Sequence, residues 1–190
     1  TWVMPMAFNL NYTPLGSTEV TGMTGERLTA PPFPAGALTG TDKDYAWLFE
    51  WNDTYAPKAL YMIQSAGLTA RVATAPFTAV MSDGKKKSFG YGTIMVQQGE
   101  NAGPAGAVTA ILQKVAEECG ITIQGVSTGL TPSGIDLGSG GFTVLTRPSV
   151  MLVIDEGTAV DDAGEIWHLL DTRYGMPVTL ISPSRIGSAS

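Results

Sequence analysis

The chain has 190 residues, the length of one ordinary domain; 44% are hydrophobic and only 15% charged, so a sizeable core under neutral loops is expected. A formal net charge of -6 argues against a nucleic-acid surface, which needs a basic patch, and no run approaches the 18 apolar residues of a membrane-spanning helix. The single cysteine, Cys119, rules out an internal disulfide.

Residues 1 to 40 are rich in Thr, Pro and Gly, with TAPPFPAGALTG at 29 to 40, and lack helical periodicity. They read as a connecting segment from a preceding domain, with a short strand at its start. Both ends of the chain read as cut, since TWVMPMAF carries no initiator Met or charged leader and ISPSRIGSAS directly follows a strand-like run. The chain is therefore expected to be an excised piece of a longer protein. Residues 41 to 190 read as an α/β domain. YAWLFEW (45 to 51) suits a buried strand. In NDTYAPKALYMIQSAG, Asn52, Asp53 or Thr54 can cap a helix, Pro57 suits its first turn and Gly67 its end. TARVATA (69 to 75) reads as a strand, 76 to 88 as a loop or hairpin, and GTIMVQ (92 to 97) as a strand. Lys85, Lys86 and Lys87 follow Asp83-Gly84 and are expected at a solvated hairpin tip.

GPAGAVTAILQKVAEECG (103 to 120) predicts a helix. Val108, Ile111, Leu112, Val115 and Cys119 share one stripe, which points Cys119 into the core as a small hydrophobe. ITIQGVS (121 to 127) reads as a strand, followed by the Gly-rich crossing GLTPSGIDLGSGGF. SVMLVID (149 to 155) and PVTLIS (177 to 182) read as strands flanking a helix in DDAGEIWHLLDTRYG. Strands alternating with helices predict βαβ units and a mostly parallel, three-layer, doubly wound sheet of flavodoxin-like type.

Three constellations could carry chemistry. Glu165 and His168 form an E-x-x-H pair, half of a di-iron site, but the chain has only one histidine. With Ala163 set at 0°, Ile166, Trp167, Leu170 and Tyr174 fall within about 60°, whereas Glu165 lies near ~200° and His168 near ~140°. The pair is expected outward, in water, and no metal site is expected in this chain. GVSTG (125 to 129) matches the nucleophile elbow of α/β-hydrolases. Ser127 would be the nucleophile, His168 the base, and Asp136, Asp155 or Asp161 the acid. However, Pro132 and Gly134 stand where the elbow's helix should begin. Asp155-Glu156 ends a strand at the carboxyl edge, where α/β sheets bind small ligands. Asp161 and Asp162 suit the start of the next helix. GSGG (138 to 141) precedes no helix and no GxxxxGK[ST] occurs, so no phosphate loop is expected.

RVATAPFT (71 to 78), VSTGLTPSGIDLGSGGF (126 to 142) and AGEIWHLLDTRYGMPVTLIS (163 to 182) resemble the region that follows the peptidase domain in large bacterial zinc carboxypeptidases related to carboxypeptidase A. The resemblance covers roughly residues 1 to 186. It implies a fold similar to class I glutamine amidotransferases, whose nucleophilic cysteine sits on a tight strand-to-helix turn; Cys119 instead precedes Gly120 at a helix end. The peptidase's H-x-x-E motif is absent from these 190 residues. The resemblance thus implies a non-catalytic accessory domain of a secreted metallopeptidase, with zinc only in the parent's peptidase domain and no cofactor here. The expected partners are that peptidase domain, or a peptide or glycan, and the expected location is periplasmic or extracellular. The alternatives are a serine hydrolase using Ser127 and His168, and a small-ligand domain using Asp155 and Glu156.

Overall fold

The computed structural model describes residues 11 to 188 except 17, 21, 24, 31, 102 and 156. The short strand expected near residue 1 lies outside the described residues. The chain divides into a unit from Thr1 to Phe33 and a unit from Pro34 to Ser190. In the first unit the described residues carry turns, closed by Glu19 N–H to Gly16 O (3.0 Å) and Met23 N–H to Val20 O (3.1 Å).

The second unit is built on three apolar strands. In β2 (Ala46–Phe49) all four residues are buried. Successive strand side chains point to opposite faces, so one strand feeds two cores. Trp47 and Phe49 enter one apolar cluster, and Ala46 and Leu48 enter a second. The flanking strands split likewise. Ile94 and Val96 of β6 (Ile94–Gln97) and Ile123 of β7 (Thr122–Val126) join the first cluster, and Met95 and Val126 the second.

Helices α1 (Ala56–Ser65) and α2 (Ala107–Cys119) close the first cluster. Pro57 stands in the first turn of α1, and Asp53 Oδ1 accepts the Tyr55 N–H (3.0 Å) just before it. Helix α2 buries Val108, Leu112, Val115 and Cys119, as its stripe predicts, and stops at Gly120 in the left-handed region (φ 64°). The second cluster is closed by a three-stranded sheet of β4 (Phe77–Val80), β5 (Lys86–Phe89) and β8 (Ser133–Gly134), in the order β5-β4-β8. Phe77 stacks on Phe89 (5.3 Å between centroids) and meets Phe142 edge-on (5.2 Å).

The central sheet has six strands in the order β1-β7-β2-β6-β3-β9, with β1 (Ala37–Leu38), β3 (Arg71–Ala73) and β9 (Phe142–Val144) completing it. Ala37 and Leu38, expected in the connecting segment, form its edge strand. Only β1 and β7 pair in parallel; the other four neighbour pairs are antiparallel. A mostly parallel sheet is therefore not what these strands form. The reason is interleaving. Strands β2 and β3, joined through α1, both run against β6 and hence with each other. Strands β6 and β7, joined through α2, both run against β2. Each crossover keeps its strands parallel, but each pair admits one strand of the other between them. This order is that of a split βαβ arrangement. The β4–β5 hairpin reverses the chain between β3 and β6.

The expected parallel unit exists nearer the C-terminus. β10 (Val150–Val153) and β11 (Val178–Ile181) pair in parallel as a separate two-stranded sheet, joined through α3 (Val160–Trp167) and a π-helical turn (His168–Arg173). The molecule is thus a mixed α/β protein with open sheets.

Two polar ties lock the sheet edge. Buried Asn101 accepts the Thr69 N–H (2.7 Å) and donates to Thr69 O (3.1 Å) and Gln97 O (2.8 Å). Asn101→Ala would orphan all three groups, and an expected loss of about 2–3 kcal/mol should appear in urea unfolding. Arg71 donates through Nε to both Glu100 carboxylate oxygens (3.0 and 2.8 Å), through Nη2 to Oε1, and through Nη1 to Phe142 O (3.0 Å). These hydrogen bonds hold the Glu100 carboxyl below its usual value, against partial burial. A carboxyl lowered on folding stabilises above its ordinary pKa, and that stability fades as pH falls through the ordinary range toward the folded value. Glu100→Gln should therefore flatten the fall in urea midpoint below about pH 4.3 while leaving its slope near neutrality unchanged.

Candidate functional site

The carboxyl ends of β10 and β11 lie side by side, because the two strands are parallel and in register from Val150↔Val178 to Val153↔Ile181. The next residues form the site. Ile154 N–H still bonds Ile181 O (3.0 Å), and then Asp155 turns into the left-handed region at φ 74°, the one non-glycine residue to do so among those described. Such a conformation costs a residue with a Cβ about 1–2 kcal/mol. Asp155 O accepts both the Thr158 N–H (3.1 Å) and its hydroxyl (2.7 Å), which closes the turn into α3. The Ser182 hydroxyl, one residue past β11, donates to Asp155 Oδ2. A single carboxylate thereby ties the ends of both strands.

Helix α3 starts from Ala159 without a side-chain cap, and Asp161 and Asp162 occupy its first turn, a favourable place for negative charge. Between α3 and the strand ends lies a hollow of about 240 Å³, lined by Ile154, Asp155, Val160, Ala163, Gly164, Trp167 and neighbouring residues. Ile154 and Leu180 also line a second, larger hollow of about 510 Å³ with Met151, Ser182 and Arg185. Of the two acidic candidates at this edge, Asp155 is held in place and Glu156 lies outside the described residues. Ser182 and Thr158 escaped sequence reasoning. Their signal was available in principle, since both follow β10 or β11 at the edge where parallel strands present ligand groups.

Glu165 and His168 are both exposed, as their helical angles predict. The apolar stripe opposite them departs from expectation. Ile166 and Trp167, expected to be buried, are 45% and 40% exposed, and Ala163 is the one buried residue of α3. Two causes act together. The helix covers a sheet of only two strands, and the π-helical turn adds residues to the coil, shown by Tyr174 N–H reaching back to Leu169 O (3.1 Å) and Met176 N–H to Leu170 O (2.8 Å). The stripe rotates there, leaving Leu169 41% exposed while Tyr174 donates its hydroxyl to Thr54 O (3.0 Å).

Ser127 is exposed just past β7, and no helix follows it. It shares an open hollow of about 440 Å³ with Tyr45, Thr128, Leu130 and Asp136, a lining without histidine. Asp136 Oδ1 accepts the Thr131 N–H (2.7 Å) and hydroxyl (3.1 Å), so one face of the carboxylate holds the loop. Ser127 and Asp136 thus line one hollow, and no hydrogen bond joins Ser127 to His168. Cys119 sits at the last residue of α2, with its Sγ 3.7 Å from Met62 Sδ, and burial pushes its thiol up to about 11. No strand-to-helix turn surrounds it. Among the described residues no three His, Cys, Asp or Glu side chains group as metal ligands. No family model matches the chain, and neither a curated protein nor a solved structure matches it.

Lys85 and Lys86 are exposed at the β4–β5 hairpin, as expected, but Lys87 is not. Lys85 pairs with Asp83 beside the turn (2.9 Å). Lys87 Nζ donates to Glu50 Oε2 (2.9 Å) and Gln124 Oε1 (2.7 Å) and lies 4.8 Å from the Phe89 ring centre. The alternation of β5 turns Lys87 toward β2 and β7, which a charge run by itself does not disclose.

The Asp155 turn makes a prediction about strain. Asp155→Ala loses the Ser182 bond and keeps the left-handed φ; Asp155→Gly loses the bond and relieves the φ. The glycine variant is expected to be more stable than the alanine variant by about 1 kcal/mol in paired urea titrations. Equal stabilities would show that the turn is unstrained.

Proposed function

We propose that this chain is a non-catalytic α/β accessory domain of a secreted zinc metallocarboxypeptidase, which packs on the peptidase domain of the same polypeptide in the periplasm or outside the cell. The observation that carries this reading is the incompletely covered C-terminal βαβ unit. Met151, Ile166, Trp167, Leu169 and Leu180 are each between 40% and 51% exposed within one short stretch of fold. Apolar exposure concentrated in this way marks a surface that another protein covers. The resemblance of 71 to 78, 126 to 142 and 163 to 182 to the region behind such peptidase domains supports the choice of partner. On this reading β10, α3 and β11 are the doubly wound, parallel part of the domain, and zinc belongs to the peptidase domain alone.

A second reading is favoured by the Asp155–Ser182 pair at the carboxyl ends of parallel strands, the usual place for a small ligand in such sheets. Serine hydrolysis through Ser127 and His168 has less support, because the hollow around Ser127 supplies an acid, Asp136, and no base.

The test is made on the longer polypeptide. Its reading frame is expected to carry H-x-x-E and a later histidine ahead of residue 1, and to bind about one zinc per chain. Deleting 34 to 190 should leave that zinc in place but lower the peptidase's melting temperature. An upstream region without the zinc motif, or a peptidase of unchanged stability after the deletion, would sink the proposal.

A further inference from the structure

We infer that the groove between α3 and β11 is the seat of a cationic amphipathic helix supplied by a protein partner. The inference rests on reading the C-terminal unit as an interface, and it specifies which face is used and what chemistry covers it.

The first observation is shape. Val160, Ala163, Gly164 and Trp167 stand at i, i+3, i+4 and i+7, one continuous stripe along α3, and all four line the 240 Å³ hollow opposite Ile154 and Leu180. A stripe of this spacing is the seam along which helices pack, with large residues at its ends and the smallest at its centre. Gly164 lies inside a helix, where glycine costs about 1 kcal/mol relative to alanine. A Cβ added there would meet nothing within 4 Å, so nothing among the described residues requires the glycine. A helix crossing at Gly164 would require it. Trp167 and Val160, 40% and 77% exposed, are then the two walls that a partner's apolar side chains would meet.

The second observation is charge. Residues 149 to 182 hold six of the chain's 17 acidic residues, at 155, 156, 161, 162, 165 and 171, and one of its 11 basic ones, Arg173. This stretch therefore carries -5 of the net -6, and the rest of the chain is close to neutral. Asp155 lines the groove itself. On α3, Asp161 lies about 60° of helix turn beyond Gly164 and flanks the stripe, whereas Glu165 lies about 100° beyond it, toward the outer face. The surface is an apolar seam with an acidic border. Its complement is an apolar ridge flanked by Lys or Arg, presented on a helix. An anionic membrane has the wrong sign.

The test uses the 190-residue chain and a short Leu/Lys peptide patterned as an amphipathic helix, with two controls: the same composition scrambled, and a version with glutamate in place of lysine. The patterned peptide is expected to bind at micromolar concentration in low salt by calorimetry, at least ten-fold more tightly than either control, and several-fold more weakly at high salt. Gly164→Leu should leave the urea midpoint unchanged or higher and reduce binding at least ten-fold. Asp161→Lys should weaken binding and reduce its salt dependence. Equal binding of scrambled and patterned peptides, undiminished binding by Gly164→Leu, or no binding would each overturn the inference. So would a concentration-dependent dimer in sedimentation that Gly164→Leu disperses, since the groove would then hold a second copy. None of these outcomes depends on whether a peptidase precedes the chain, so the failure of this inference is separable from failure of the proposed function.

Discussion

One constraint organises the molecule: the central sheet is buried on both faces. A strand covered on only one side can alternate apolar with polar residues, but β2 cannot, because Trp47 and Phe49 fill the layer under the helices while Ala46 and Leu48 fill the layer under the small sheet. Side-chain size differs across the strand for the same reason. The helices stand off and admit an indole and a phenyl ring. The small sheet brings its own rings, Phe77 and Phe89, and meets Ala46 and Leu48. A polar residue at any of these four positions would lose water without finding a partner.

Covering both faces needs two kinds of lid, and the chain makes them in alternation. Crossovers through α1 and α2 supply one, and the β4–β5 hairpin with β8 supplies the other. The hairpin also reverses the chain before β6, which is why the two βαβ units interleave rather than extend one another. Asn101 and the Arg71–Glu100 pair stand where this interleaving brings β3, β6 and β9 to the edge of the sheet. Their bonds satisfy backbone groups that the ladder leaves over.

The C-terminal βαβ unit obeys the opposite condition. Two parallel strands and one helix cannot enclose a core, so its apolar residues are shared between its own thin interior and solvent. The tie between Asp155 and Ser182 holds the strand ends together where packing is thin, and it places a carboxylate beside the groove. The interleaved sheet buries apolar side chains on both of its faces, whereas the βαβ unit leaves several of its own half exposed.

Much of this could be read from residue order. YAWLFEW announced a buried strand, the stripe from Val108 to Cys119 announced α2 and the burial of its thiol, and the angles of Glu165 and His168 placed that pair in water. The place of Asp155 at a strand end was legible because the pattern SVMLVID marks the strand plainly. These are local properties, set by periodicity and by the residues that start and stop elements. The neighbours of each strand were not legible. Periodicity says that β2 and β3 run the same way and is silent on whether β6 lies between them, since pairing joins residues far apart in the chain. The exposure of Ile166 and Trp167 was equally hidden, because a buried stripe and a half-exposed one have one and the same sequence. Only the tertiary structure decides between them, by setting how much surface the rest of the chain can bring to that face.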